Sequence, residues 1–384
     1  MAIPPEVQQM VAQAKQQMPQ LAHLPDEVVA QMILQVMVNQ SGIPISDEEL
    51  KNMHPEQLGT IGEQMMNMGR WEEAEKCFFQ ALENAEMMND IEQQAKATSM
   101  LGRLCRDRGD LSQATALLQQ ALALAERIGD RRLMGIICDM IGTTYLMQGS
   151  YPQAIEYYAR GRENSKQIGD EHQLAVVYGN LGSVYVQQGD YKRAIRAYRK
   201  SLKHGIKLGM HRESAQAYAN LGGVYQEQGR YDLAIEMYQR SLEILLLIGD
   251  QQSVASVYSN LGDVHRELED YEQAIQMHQK ALEINERIGS ELSAAQDYGN
   301  LALVYQHIDD VGQALEYYHK ALKILERIGD RHNAAKFYMN LGTLYRDLGE
   351  IEQAHSYYEK AKALFEMVGD TQWVQRVAQG LRAL

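Results

Sequence analysis

Apolar and polar residues follow a helical rhythm along this chain, and the rhythm itself recurs every forty residues. Tyr178, Leu181, Gly182 and Tyr185 fall on one face of a helix. Beyond Gly189 and Asp190, the residues Tyr191, Ala194, Ile195, Tyr198 and Leu202 repeat that spacing. A residue without a Cβ at 189 takes the left-handed conformation that closes a helix at low cost, and Asp190 suits the N-cap of the next. The pattern therefore predicts two antiparallel helices joined by a tight turn, with the small side chains of Gly182 and Ala194 letting the axes approach closely. Steps of forty from Gly182 meet Gly62, Gly102, Gly142, Gly222, Gly262 and Gly342, with Ala302 as the exception. Steps from Ala194 meet Ala74, Ala114, Ala154, Ala234, Ala274, Ala314 and Ala354 without exception. One helix pair cannot bury both of its faces, so eight such units must stack into an all-α solenoid over residues 51–370.

The joints between units are marked by Gly129-Asp130, Gly169-Asp170, Gly249-Asp250, Gly329-Asp330 and Gly369-Asp370. Where the turn glycine is replaced, by Glu269 and Asp309, the joint is expected to be less ideal. Gly161 and Gly205 lie inside second helices, where glycine costs roughly 1 kcal/mol against alanine, and local bending is expected there. Residues 371–384 carry Trp373, Val374, Val377 and Leu381 at helical spacing and read as a capping helix. Residues 1–50 lack the repeat. A first helix is expected from about Pro5 to Met18, ended by Pro19. A second follows Asp26 as cap, with Val28, Val29, Met32, Ile33, Val36 and Met37 as its apolar face and Gly42 and Pro44 after it. This segment either caps the first repeat or folds back against the array.

A net charge of −14, from 37 Lys and Arg against 51 Asp and Glu, disfavours general binding to a phosphate backbone, so no nucleic-acid partner is expected. Cys77, Cys105 and Cys138 occupy apolar repeat positions without metal-ligand or redox spacing and read as reduced core residues. No secretory leader or long uncharged apolar run is evident, so a cytoplasmic protein without membrane insertion is expected. No phosphate-cradling loop, nucleophile elbow or paired histidine motif stands outside the repeat. The chain reads as non-enzymatic and without cofactor or metal.

The Leu-Gly pair, the tyrosine after it, the Gly-Asp-Tyr turn and the Ala-Ile pair resemble the tetratricopeptide repeat. The forty-residue period is similar to the longer variant of kinesin light chains, Leu-Gly-Asn repeat proteins and bacterial arrays. That resemblance implies a right-handed superhelix of helix pairs whose first helices line a concave groove. The groove-facing stripe would then lie at offsets −6, −3, −2, +1, +4 and +5 from the anchor glycine.

At offset −2 stand Asn180, Asn220, Asn260, Asn300 and Asn340, but Thr60, Met100 and Met140 in the first three units. Asparagine is a mediocre helix former, so a ladder of it needs a reason. The carboxamides can pair with the backbone of a bound peptide, or with a neighbouring helix or turn to set the stacking angle. Both readings stand. Lys96, Arg103, Arg106, Gln226, Arg266, Lys336 and Arg346 flank the ladder and could engage acidic groups of a ligand. Asp107, Glu267 and Asp347 each follow one of those arginines and offer the alternative of internal pairing. Met66, Met100, Ile136, Met140, Leu146 and Met147 form an apolar patch suited to varied partners or to residues 1–50 of the same chain. His265 and His278 replace aromatic repeat positions, and the tyrosines at Tyr145, Tyr185, Tyr225, Tyr305 and Tyr345 keep a packing register. The expected function is an adaptor that holds a protein or peptide segment in the groove. The alternative is a signalling-peptide sensor resembling Rap-type regulators.

Overall fold

The joints show why the period is so regular. Gly189 adopts φ 71°, and Asp190 accepts a hydrogen bond from the Arg193 amide at 2.9 Å, so helix end and helix start are fixed within two residues. Asp110, Asp130, Asp250, Asp310, Asp330 and Asp370 cap their helices in the same way. The computed structural model describes residues 11–15, 25, 29 and 50–384. Most of the two helices expected before residue 50 lies outside them; within them, residues 11–15 are helical and Val11 and Val29 are buried.

Among the described residues the helices follow one another in pairs, and no strand occurs. The chain divides into two compact units, at Asn180 and Leu181. The N-terminal unit contains α1 (Pro55–Asn67), α2 (Trp71–Met87), α3 (Ile91–Asp107), α4 (Leu111–Ile128), α5 (Arg131–Met147) and α6 (Tyr151–Ile168), and the division falls within α7 (Glu171–Gln187). The C-terminal unit continues with α8 (Tyr191–Leu208), α9 (His211–Glu227), α10 (Tyr231–Ile248), α11 (Gln251–Glu267) and α12 (Tyr271–Arg287). It ends with α13 (Glu291–His307), α14 (Val311–Ile328), α15 (Arg331–Asp347), α16 (Ile351–Met367) and α17 (Thr371–Arg382). Odd-numbered helices up to α15 are the first of a repeat, and even-numbered ones the second. Within each compact unit every helix packs on its successor, and first helices of adjacent repeats touch, as α1 on α3 and α11 on α13. The fold is an α-solenoid of antiparallel helix pairs.

The anchor glycines have a more specific task than close approach of helix axes. A Cβ at Gly182 would sit 2.5 Å from the Tyr198 ring, and Gly142, Gly222 and Gly342 likewise face Tyr158, Tyr238 and Tyr358. The missing side chain is thus a slot, filled by a ring from the second helix of the same repeat. Tyr158, Tyr238, Tyr318 and Tyr358 are among the largest fully buried side chains. Burying such a ring stabilises by roughly 1.5–3 kcal/mol. The ring hydroxyl then bonds to the first helix: Tyr158 with Thr143 and Tyr358 with Thr343 at 3.0 Å, and Tyr198 with Ser183 at 3.1 Å. Tyr238 and Tyr318 donate instead to Gln226 and Gln306, at 3.0 and 3.1 Å. Gly62 and Gly102 receive Phe78 and Leu118, which need no partner.

Gly161 and Gly205 do not interrupt α6 and α8, which run unbroken through them. They answer close approach: a Cβ at Gly161 would lie 3.1 Å from the Gly135 carbonyl oxygen, and one at Gly205 2.7 Å from the Ser214 hydroxyl. Glu269 and Asp309 do adopt φ 60°, close to the left-handed value that glycine takes at most other joints, and Asn89 adopts φ 53°. Side chains there cost about 1 kcal/mol or more. At the C-terminal end α17 lays Trp373 against Phe365, with ring centroids 5.4 Å apart, and buries Val377.

Candidate peptide-binding face

The stripe on the first helices is best followed within each compact unit. In the N-terminal unit the charged members are paired among themselves. Arg103 meets Glu63 at 3.3 Å and Asp107 at 3.8 Å, Arg106 meets Asp107 at 2.7 Å, and Lys96 meets Glu92 at 2.6 Å. Asn180 is also engaged: its amide donates to Asp139 on α5 at 2.8 Å, tying adjacent first helices together. Desolvation pushes the Asp139 carboxyl up to about 6, against the lowering effect of the Asn180 bond and the Arg106 charge. In the apolar patch, Met66 is buried at 6% exposure in the core around Phe78, and Met100 packs against that core. Ile136, Met140 and Leu146 are half-buried, while Met147 is 54% exposed.

The C-terminal unit differs in how many amides are uncommitted. Asn220, Asn260, Asn300 and Asn340 are all half-buried, one on each of α9, α11, α13 and α15. Asn220 accepts from Gln216 at 3.0 Å, and Asn340 is hydrogen-bonded to Tyr318. The side chains of Asn260 and Asn300 hold no hydrogen bond among the described residues. Gln226 is taken up by the Tyr238 hydroxyl. Arg266 reaches Glu267 at 3.0 Å and Asp263 at 3.6 Å, and its Nε has no partner. Arg346 makes two bonds to Asp347, at 2.7 and 3.0 Å, and Lys336 reaches Asn333 at 3.4 Å beside the Trp373 ring. The stripe therefore offers free carboxamides at two successive repeats, flanked by Arg266 and Arg346, whose carboxylate neighbours a ligand carboxylate could replace, and by Lys336, which holds none among the described residues.

Behind this face lies a buried polar cluster that repeat spacing alone does not reveal. Asp297, 2% exposed, accepts from Asn285 at 2.6 Å and from the Ser259 hydroxyl. Burial pushes its carboxyl up to about 6. The signal was present in the sequence, since 297 is a register filled by Ala217, Val257 and Phe337 in neighbouring repeats. His278 fills the slot at Gly262 where most repeats place tyrosine, fully buried, with neither ring nitrogen hydrogen-bonded. Cys77 and Cys138 are buried thiols pushed up to about 11, as inert core positions would be. Among the described residues no helix is long and apolar enough to cross a membrane, and no group of three or more His, Cys, Asp or Glu could hold a metal ion.

No curated protein matches the chain. Among solved structures it is similar to a signal-transduction ATPase with a tetratricopeptide repeat sensor from Pyrococcus horikoshii, at 17% identity and TM-score 0.67, covering 90% of this chain and 53% of that one. It thus spans about half the length of that protein. The apo form of the quorum sensor NprR from B. thuringiensis is similar at 16% identity and TM-score 0.63, with 94% and 98% covered. A Rap protein complexed with competence and sporulation factor is similar at 16% identity and TM-score 0.56, with 86% and 96% covered. Identities this low speak to fold alone. The tetratricopeptide repeat family model matches residues 58–127, 137–204, 213–287 and 293–367, and a second model of that description matches 180–245. The chain belongs to the tetratricopeptide repeat family.

Proposed function

We propose that this protein is a non-enzymatic adaptor that binds an extended peptide segment of a partner protein on the first-helix stripe of its C-terminal unit. The observation that carries the reading is the pair Asn260 and Asn300, half-exposed at one register with their carboxamides uncommitted. A carboxamide offers donor and acceptor together, which suits a peptide backbone regardless of its side chains. Side-chain preference would come from Arg266 and Arg346, whose carboxylate neighbours are exchangeable for acidic groups of the ligand, and from Lys336, which reaches the Asn333 carboxamide. By itself, the N-terminal unit offers an apolar stretch around Met140, Leu146 and Met147 suited to varied partners. The repeat family and the complex of a Rap protein with competence and sporulation factor support a second reading, a peptide-sensing regulator, through the same stripe.

The test is affinity capture of partners with the intact chain beside the Asn260→Leu/Asn300→Leu variant, followed by titration of synthetic peptides from any captured protein. A partner peptide that binds the intact chain and loses about tenfold or more in the variant supports the stripe. Equal affinity for both proteins, with unchanged melting, removes the amides from the argument. Adaptor and sensor separate in the intact chain: a sensor changes its hydrogen-exchange pattern far from the stripe when peptide binds, and an adaptor does not.

A further inference from the structure

Helix α8 stands apart from every other second helix of the array. It carries Lys192, Arg193, Arg196, Arg199, Lys200, Lys203 and Lys207 and no carboxylate, in a chain of net charge −14. Each of α2, α4, α6, α10, α12, α14 and α16 includes at least one glutamate. All seven α8 cations are exposed, while Ala194, Ala197, Tyr198, Ser201 and Gly205 turn the other face into the core. Arg193 is held by Asp190 at 2.5 Å and Arg199 donates to the Tyr225 hydroxyl at 3.1 Å. Lys192, Arg196 and Lys203 hold no ion pair among the described residues.

Lys192, Arg196, Arg199, Lys203 and Lys207 step by three or four residues, so they form one line roughly 22 Å long with a cation at each turn. Like charges at this spacing each destabilise a helix by about 0.2–0.5 kcal/mol, and the repulsion is relieved only by negative charge from outside the helix. We propose that the exposed face of α8 docks an acidic helical segment of a partner protein. Carboxylates spaced by three and four on such a helix repeat at the same pitch as the cations. Exposed Ile206 and Leu208 give that partner an apolar contact at one end of the line.

The width of the stripe selects this occupant. On α10, which shares the same hydrophobic core, Asp232 and Glu243 are exposed without an ion pair among the described residues, while the exposed Glu236 is matched by Arg240 at 3.0 Å. An anionic bilayer or a nucleic-acid duplex, broader than one helix, would be repelled by those carboxylates. Single-stranded nucleic acid relies on aromatic platforms, and Tyr191 and Tyr198 are half-buried and buried. This docking face is independent of the asparagine stripe.

The test uses the full chain and a labelled alanine-based peptide of roughly 16 residues with glutamates on one face, beside the same composition with glutamates scattered round the helix. Fluorescence anisotropy should show binding of the striped peptide. Affinity should weaken about tenfold or more in K192E/R196E/K203E, and on raising salt to about 0.3 M. The scattered peptide should bind more weakly, and the Asn260→Leu/Asn300→Leu variant should bind as the intact chain does. If the charge-reversed protein melts early, K192Q/R196Q/K203Q takes its place. Equal binding by intact and variant proteins, or by both peptides, overturns the proposal. So does phosphatidylserine-vesicle or oligonucleotide binding that is tighter than peptide binding and lost in the same variant, which would give the face to lipid or nucleic acid.

Discussion

Replacing His278 by tyrosine should stabilise the sixth repeat and flatten its response to acid. The imidazole sits where Tyr158, Tyr198, Tyr238, Tyr318 and Tyr358 sit in other repeats, but neither nitrogen finds a hydrogen-bond partner, and Nε2 stops 3.9 Å from the Asp263 carboxylate. Burial, aided by the Arg266 charge, pushes the imidazole down to about 4. Its folded value therefore lies below the ordinary histidine value, and the unfolded chain holds more protons between pH 6.5 and about 4. Stability is complete above 6.5 and is lost through that window, by about 3 kcal/mol in full. Tyrosine does not titrate there, and its hydroxyl would reach the register of Asp263 and Arg266, the groups that face the slot. Removing two unpartnered buried nitrogens should add about 1–2 kcal/mol at pH 7 as well. The assay is urea unfolding of intact and His278→Tyr protein at pH 7 and pH 5, with hydrogen exchange of α11 and α12 amides, because an array need not unfold in one step. The difference between the two proteins should widen on acidification, whatever the carboxylates contribute to both curves. Parallel curves, or a tyrosine variant weaker at both values, would refute the account of the slot.

Three further outcomes are expected. Glu269→Gly and Asp309→Gly should each stabilise by about 1 kcal/mol in thermal melts, since both positions hold φ 60°. Asp297 has a folded value raised above the unfolded one, so its contribution falls as pH rises from about 4 to about 6; Asp297→Asn should be more stable at pH 8 by up to about 3 kcal/mol. Asp297→Ala, which strands the buried Asn285 amide, should instead destabilise by about 1–3 kcal/mol in the same urea assay. Removing residues 371–384 strips Trp373 and Val377 from Phe365 and should expose a dye-binding apolar surface and early exchange in α15 and α16.

The solenoid was legible because its signals are local and repeated: turn residues within two positions of Gly189, caps at the joints, and helical spacing on either side. What could not be read was which side chain meets which across the pair. Gly182 and Tyr198 are sixteen residues apart, and only the packed structure shows that the glycine is a slot for the ring. Propensity alone did not show why glycine stands at 161 and 205, where close approach to Gly135 and Ser214 decides the residue and the helices continue. The stripe on the first helices was legible as a register, but the commitments of its members depend on partners as far away as Asp139 from Asn180.

Those commitments bear on where ligand recognition belongs. The change at offset −2 from Met140 to Asn180 coincides with the division of the chain at Asn180 and Leu181. On the N-terminal side the stripe is closed by its own pairs, Glu63 with Arg103, Arg106 with Asp107 and Asn180 with Asp139, so a ligand there must displace existing bonds. On the C-terminal side Asn260 and Asn300 can add hydrogen bonds without breaking any. An exchange of one ion pair for another returns little net free energy at a half-exposed site, whereas a new bond contributes about 0.5–1.5 kcal/mol. Backbone binding should therefore concentrate on α11 and α13, with the cations around them selecting among sequences more than adding affinity. That asymmetry follows from the hydrogen-bond partners of five amides, although all five occupy the same position in the repeat.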